Sequence, residues 1–211
     1  VPATRVSHPF FARIFPPLIR MMDTGGLAGR RAALVGDLAG IIIDVGSGSG
    51  ANFGHYPASV TRVLAVEPEP RLRRLATAAA LAAPVPVDVA GGLASPLPVG
   101  DASFDAAVVT FLLCSVPDLD AALAEIRRVL RPGGTLRFLE HVRGDSTGIT
   151  RTQDILDAVL WPRLAGGCHL GRDPVTAIER AGFVIDRLDR FLFPGMRGPM
   201  SFYVAGHATS P

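Results

Sequence analysis

Residues 44–50 read Asp-Val-Gly-Ser-Gly-Ser-Gly, directly after the apolar run Ile41-Ile42-Ile43. Three β-branched residues predict a buried strand. Glycines at 46, 48 and 50 let the backbone turn tightly and approach a ligand with no Cβ in the way. Glu67 closes the next apolar run, 21 residues after Gly46. A carboxylate at that place accepts hydrogen bonds from both hydroxyls of a ribose. The chemistry these residues suit is the holding of a nucleotide-type cofactor. Gly46-x-Gly48-x-x-Ala51 also satisfies the dinucleotide fingerprint in its Gly/Ala form, so turn and acid serve NAD and S-adenosylmethionine alike. Asp44 favours the second. Most dinucleotide-binding strands are apolar at that point, and a carboxylate there suits a cationic ligand better than a pyrophosphate.

Candidates for work on a second substrate stand further along the chain. His141 ends a later apolar run, and its imidazole titrates in a useful range; a hydrogen-bonded structural His is the competing reading. Glu140 either orients His141 or faces solvent. Cys114 follows another strand and lines a pocket or serves as a small buried apolar residue. Cys168-His169 has no third and fourth partner at metal-ligand spacing, so no metal is expected. Asp154 and Asp157 read as solvated helix residues, and His8 and His55 as surface residues.

The elements that must position these groups follow from periodicity. Strands are expected at about 41–45, 62–66, 85–90, 105–110 and 135–141, alternating with helices at 69–83 and 118–130. A short helix is expected over 51–56, and Arg131-Pro132-Gly133-Gly134 ends the helix before it with a left-handed glycine cap. Two closing strands, 183–193 and 201–206, follow helices at 150–160 and 174–181. Alternating strands and helices imply an α/β, doubly wound parallel sheet, and the last two strands a closing antiparallel hairpin. Residues 1–40 read as an N-terminal helical lid, broken at Pro16-Pro17 and Gly25-Gly26, ahead of a domain spanning 41–211. The Phe-rich stretch Pro9–Met22 reads as a lid on the domain in preference to a membrane-surface helix.

The chain has 211 residues, 48% hydrophobic and 19% charged, enough for one α/β domain with a full core. Its net charge is +2, every basic side chain is Arg, and no basic run appears, so no nucleic-acid partner is expected. Two cysteines form no framework of bridges. No segment approaches the roughly 18–20 apolar residues of a membrane span, and a soluble cytoplasmic protein is expected. Nothing in the sequence speaks to oligomeric state.

Four blocks together resemble the class I S-adenosylmethionine-dependent methyltransferases with a type 11 domain. They are Asp44–Gly50, Val66-Glu67-Pro68, Leu97-Pro-Val-Gly-Asp-Ala-Ser-Phe-Asp105, and Glu125-Ile-Arg-Arg-Val-Leu-Arg-Pro-Gly-Gly134. Gly50-Ala-Asn-Phe53, Leu113-Cys-Ser-Val116, Glu140-His-Val142 and Gly167-Cys168 are similar to the methyltransferase-like protein 7 group of thiol methyltransferases. A weaker similarity is to quinone and phospholipid methyltransferases. The resemblance implies a Rossmann-like seven-stranded sheet and S-adenosyl-L-methionine as cofactor. It implies that Asp44 and the backbone of Gly46, Ser47, Gly48 and Gly50 hold the methionine part, that Asn52 also binds the cofactor, and that Glu67 holds the ribose. Pro68 would pack on adenine, Gly92, Leu93 and Ala94 would reach its edge, and Thr110 and Phe111 would border the methyl group. Many relatives carry Asp where Leu93 stands. His141 would be the catalytic base, and Cys114, Ser115, Trp161, Cys168 and His169 would line the site of a small apolar acceptor, a thiol among the candidates. The rivals are an NAD(P)-dependent oxidoreductase, disfavoured by the lack of lysine beside only two tyrosines, and a cofactor-binding module without catalysis.

Overall fold

The computed structural model describes residues 8–194 and 196–211. Seven strands make one sheet: β1 (Gly40–Val45), β2 (Val60–Val66), β3 (Val87–Ala90), β4 (Phe104–Thr110), β5 (Leu130–His141), β6 (Val184–Leu192) and β7 (Phe202–Thr209). Their order is β3-β2-β1-β4-β5-β7-β6. The first five pair in parallel, and β7 runs antiparallel between β5 and β6. This is the expected doubly wound sheet with its closing antiparallel hairpin. The strand order reverses between β1 and β4, and sheets of this kind bind ligands at that switch, beyond the carboxyl ends of the strands.

Strand alternation decides what each side chain meets. In β1, Ile43 and Val45 enter the core on one face of the sheet, with Leu123 and Ile126 of helix α4 (Leu119–Val129) and Ile178 of the helix Pro174–Arg180. Ile42 enters the core on the other face, with Leu34 and Val35 of helix α2 (Ala28–Val35). Asp44 shares the face of Ile42. In β5, Leu136 and Phe138 belong to the first core and Leu139 to the second, so Glu140 and His141 leave the sheet on opposite faces.

The helices start where capping chemistry allows. Glu69 accepts from Leu72 N at 2.7 Å ahead of Pro70 at the start of α3 (Pro70–Ala80), and Asp118 from Ala121 N at 2.9 Å ahead of α4. Three local expectations need correction. Helix α1 (Phe11–Met22) runs through Pro16 and Pro17, because burial of Ala12, Ile19 and Met22 holds it where two prolines remove hydrogen bonds. The chain does bend at Gly26, at φ +114°. Helix α4 ends because Leu130 is already extended and begins β5; Gly133, at φ +76°, turns the chain inside that strand instead of capping the helix. Residues 51–56 form only a 3-10 turn, Phe53–His55. The first seven residues of the expected lid lie outside the described residues.

Candidate active site

One cavity of about 980 Å³ opens at the carboxyl ends of β1, β2, β4 and β5. Its walls are chiefly apolar. Phe11, Phe15, Leu18 and Ile19 of α1 form one side; Val66, Leu72 and Leu93 lie at the β2 end, and Phe111, Leu112 and Tyr203 near the other end. Small-molecule sites span roughly 300–1,000 Å³, so this one has room for two ligands side by side.

At the β1 end the glycine turn forms the wall. Gly46 and Gly48 take φ +70° and +59°, conformations other residues adopt only under strain. A Cβ on Gly46 would lie 2.6 Å from Leu112 Cδ1, inside the wall itself. Beneath the turn lies a buried polar chain. Asp44 Oδ2 accepts from Asn52 Nδ2 at 3.1 Å and from the Tyr56 hydroxyl at 2.9 Å. Asn52 Oδ1 accepts from Arg31 at 2.8 Å, and Arg31 pairs with Asp23 at 3.0 Å. This chain ties the turn to the α1–α2 segment. Asp44 Oδ1 is buried with no partner among the described residues. Burial is the main reason its carboxyl is pushed up to about 6.

Glu67 ends β2 on the cavity wall. Its two oxygens accept from Gly48 N at 2.9 Å and Glu69 N at 2.8 Å, each keeping a lone pair. Burial, against those two donors, pushes it up to about 7.

The other end is built on a turn after β4. Phe111 sits at φ +58°. The fully buried Glu140 carboxylate accepts from the backbone N–H of Leu112, Leu113 and Cys114, at 3.0, 3.0 and 3.2 Å. Burial pushes its carboxyl well above the ordinary range. Glu140 therefore neither orients His141 nor meets solvent, because alternation sends the two residues to opposite faces. His141 lines the cavity, 5.2 Å edge-on from Tyr203, and neither ring nitrogen has a partner among the described residues. Burial lowers its imidazole to about 4, so it is neutral at physiological pH. Asp157, expected in solvent, accepts from Leu170 N and Gly171 N, both at 2.8 Å, and fixes the loop that carries Cys168 and His169. Asp154 is exposed and pairs with Arg143 at 2.7 Å.

Comparison with known proteins bears on what this cavity holds. Residues 43–138 match the family model described as a methyltransferase domain. Thiol S-methyltransferase TMT1A of Homo sapiens is 38% identical over 148 residues, 67% of this chain and 59% of that protein. Ubiquinone/menaquinone biosynthesis C-methyltransferase UbiE of Methylobacterium nodulans is 35% identical over 109 residues, covering 52% of this chain and 41% of that one. Thiol S-methyltransferase TMT1B of Homo sapiens is 31% identical over 172 residues, 79% of this chain and 69% of the relative. This chain belongs to the S-adenosylmethionine-dependent methyltransferases. An S-adenosylmethionine-dependent methyltransferase from Mesorhizobium loti shares the fold, with a TM-score of 0.62 at 20% identity over 86% of this chain and 96% of its own. The chain spans about 59% of the length of the TMT1A relative it matches.

The residues present fit the methyltransferase cofactor, S-adenosyl-L-methionine. An orphaned buried carboxylate oxygen suits an ammonium, the side-chain-free wall at Gly46 and Gly48 admits close backbone approach, and Glu67 offers acceptors for a ribose. Gly92, Leu93, Ala94, Pro68, Thr110 and Phe111 join Gly46, Gly48 and Glu67 on the wall. Leu93 brings no polar group to it. Ser47, Gly50 and Asn52 do not line the wall, and Asp44 is buried just beneath the turn that forms it, where its negative charge bears on a ligand seated there. Gly50 turns the chain at φ +83° against the Phe53 ring, and Asn52 is spent on Asp44, Arg31 and Thr110. Of the acceptor candidates, Cys114, Ser115, Trp161, Cys168, His169 and His141 all line the cavity. Arg31, Tyr56 and Tyr203 were not legible as site residues. Their contacts cross between distant segments, and no local spacing marks them.

The raised carboxyls carry a pH prediction. As pH falls through about 7 and then about 6, Glu67 and then Asp44 take up protons in the free protein, and a cationic ligand loses its counter-charge. For Asp44 alone, the dissociation constant of S-adenosyl-L-methionine should rise about tenfold between pH 7.5 and 5. Calorimetry across that range tests this, and a flat profile would contradict it.

Proposed function

We propose that this chain transfers the methyl group of S-adenosyl-L-methionine to a small apolar thiol. The observation that carries the reading is the chiefly apolar cavity that runs from the glycine turn to His141. Similarity to two human thiol S-methyltransferases supports the acceptor class. When bound, the cofactor supplies an electrophilic methyl on a sulfonium whose leaving group is a neutral thioether. The chain's part is then alignment and exclusion of water. The apolar faces of Phe15, Leu18 and Phe111 would keep the acceptor dry, and helix α1 would act as its lid.

His141 is the residue proposed to meet the acceptor's S–H. An imidazole lowered to about 4 is a poor sink for the proton of a thiol near 8.5. Its use is to accept a hydrogen bond and aim the sulfur. His141→Ala should lower kcat for aliphatic thiols roughly tenfold, below the roughly 10²–10⁴-fold of a group that carries the proton. It should leave aromatic thiols, already ionised at neutral pH, nearly unaffected, and leave cofactor affinity unchanged. Equal kcat with both thiol classes in wild type and variant would remove His141 from the mechanism.

The whole reading is tested by following radiolabelled methyl transfer to a panel of thiols, phenols, quinones and amines. Transfer confined to thiols is the expected result. Transfer confined to quinones would replace the acceptor class. Tight cofactor binding with no transfer to any acceptor would leave a binding module.

A further inference from the structure

The two cysteines of the chain, 54 residues apart in sequence, meet in the acceptor end of the cavity. The His169 N–H donates to the Cys114 carbonyl at 2.8 Å. Gly167, at φ +94°, lies so close to the Ser115 carbonyl that a Cβ would come within 2.7 Å of its oxygen. These contacts set residues 167–169 directly against residues 114–115, the kind of close backbone approach that a disulfide requires. Both cysteines are free and both line the cavity.

Their surroundings differ. Cys114 is buried, beside the Ser115 hydroxyl at 3.4 Å, over the turn that Glu140 holds. Cys168 is partly exposed to the cavity. The buried indole N–H of Trp161, on the same cavity wall, has no hydrogen-bond partner among the described residues. The Cys114 hydrogen bond, followed by Trp161, draws the Cys168 thiol below its ordinary value, while that same contact and burial push Cys114 well above. An accessible thiol favoured as thiolate and a buried neutral partner are the nucleophile and resolving thiol of a disulfide-exchange pair.

We infer that Cys168 and Cys114 form a dithiol site that reduces small apolar disulfides entering the acceptor cavity and closes into an internal disulfide. The Cys168 sulfur attacks one sulfur of R–S–S–R, breaking that bond and giving a mixed disulfide and one R–SH. Cys114 then attacks the Cys168 sulfur of the mixed disulfide and releases the second R–SH. The two cysteine protons leave on the two released thiols. The protein is oxidised by two electrons and the disulfide is reduced by the same two. The link between this site and methyl acceptors rests on the thiol reading above, since R–SH is then the acceptor and R–S–S–R its oxidised form. The exchange itself does not rest on it.

The test uses 2,2′-dithiodipyridine on the folded, reduced protein, following released thiopyridone and intact mass. The expected result is two thiopyridones per chain, a mass lower by two hydrogens, and a peptide cross-link between Cys114 and Cys168. Cys114→Ser should stop at one thiopyridone and one pyridylthio adduct on Cys168. Cys168→Ser should leave Cys114 at least tenfold slower to react. Two pyridylthio adducts on the wild type, no reaction short of unfolding, or a Cys168→Ser variant as fast as wild type would each overturn the inference. None of these readouts requires methyl transfer, so failure of the thiol methyltransferase reading would show in the acceptor panel and not here.

Discussion

Asp44→Asn will weaken binding of S-adenosyl-L-methionine by about a hundredfold while leaving the unliganded protein folded and at least as stable as wild type. Both halves follow from one arrangement. Asp44 Oδ2 is held by Asn52 and Tyr56, whereas Oδ1 is buried with no partner among the described residues. An Asn side chain can keep both existing hydrogen bonds through its own oxygen. What it loses is the charge. Removing one partner of a buried, hydrogen-bonded charge pair costs about 2–5 kcal/mol, and about 3 kcal/mol is roughly a hundredfold in affinity. Stability runs the other way. Burial raises this carboxyl from 3.8 to about 6 in the folded protein. The protonated form is therefore the better tolerated, and the stability it confers is full below pH 3.8 and lost as pH rises through 6. Ionised Asp44 thus costs the unliganded fold about 3 kcal/mol at neutral pH. The substitution removes that cost. Calorimetry gives the affinity and thermal denaturation without ligand gives the stability. A variant that binds normally would show that Asp44 does not serve the cofactor. A variant that loses binding and stability together would make Asp44 a structural residue.

The same arrangement shows how far the sequence could be read. The strand, the glycine turn and the acid at the end of β2 are local signals, and backbone sterics make them nearly obligatory once a ligand must come close. The sheet followed from alternation of strand and helix patterns. Glu140 and His141 are adjacent in sequence, and a linear reading pairs them, but a strand sends successive side chains to opposite faces. Glu140 therefore meets the turn after β4, 26 to 28 residues back in the chain, while His141 meets the cavity. Asn52 passed as a ligand because it lies within the motif; its amide is instead consumed between Asp44 and Arg31. Arg31 itself lay in a segment read only as a lid. Where Pro16 and Pro17 stand, local propensity predicted a break, and burial of Ile19 and Met22 overrode it. In each case a long-range contact decided what a neighbour in sequence could not.

Glu140→Ala will cost about 4 kcal/mol of folding stability, the largest loss expected from any single polar residue of the site. The side chain supplies the acceptors for three buried or half-buried backbone donors, Leu112, Leu113 and Cys114. Each donor left without an acceptor costs about 1–3 kcal/mol, and truncation adds a void where the carboxylate stood. Against total stabilities of about 5–15 kcal/mol, the loss should lower Tm by about 10 °C. Glu140→Gln separates acceptor from charge. Its amide oxygen can keep the Leu112 and Leu113 N–H groups, which share one oxygen in the wild type, while its NH₂ confronts the Cys114 N–H. About half the loss is therefore expected. The turn these bonds hold carries Phe111 at φ +58°, a conformation that a bulky residue keeps only when its surroundings impose it. Relaxing it would swing Phe111 and Cys114 out of the cavity wall. The Gln variant, still folded, should then show a raised KM for the acceptor with cofactor affinity intact. Urea titration and steady-state kinetics test the two claims separately. An Ala variant within 1 kcal/mol of wild type would mean that water replaces the carboxylate and that the turn holds its shape unaided.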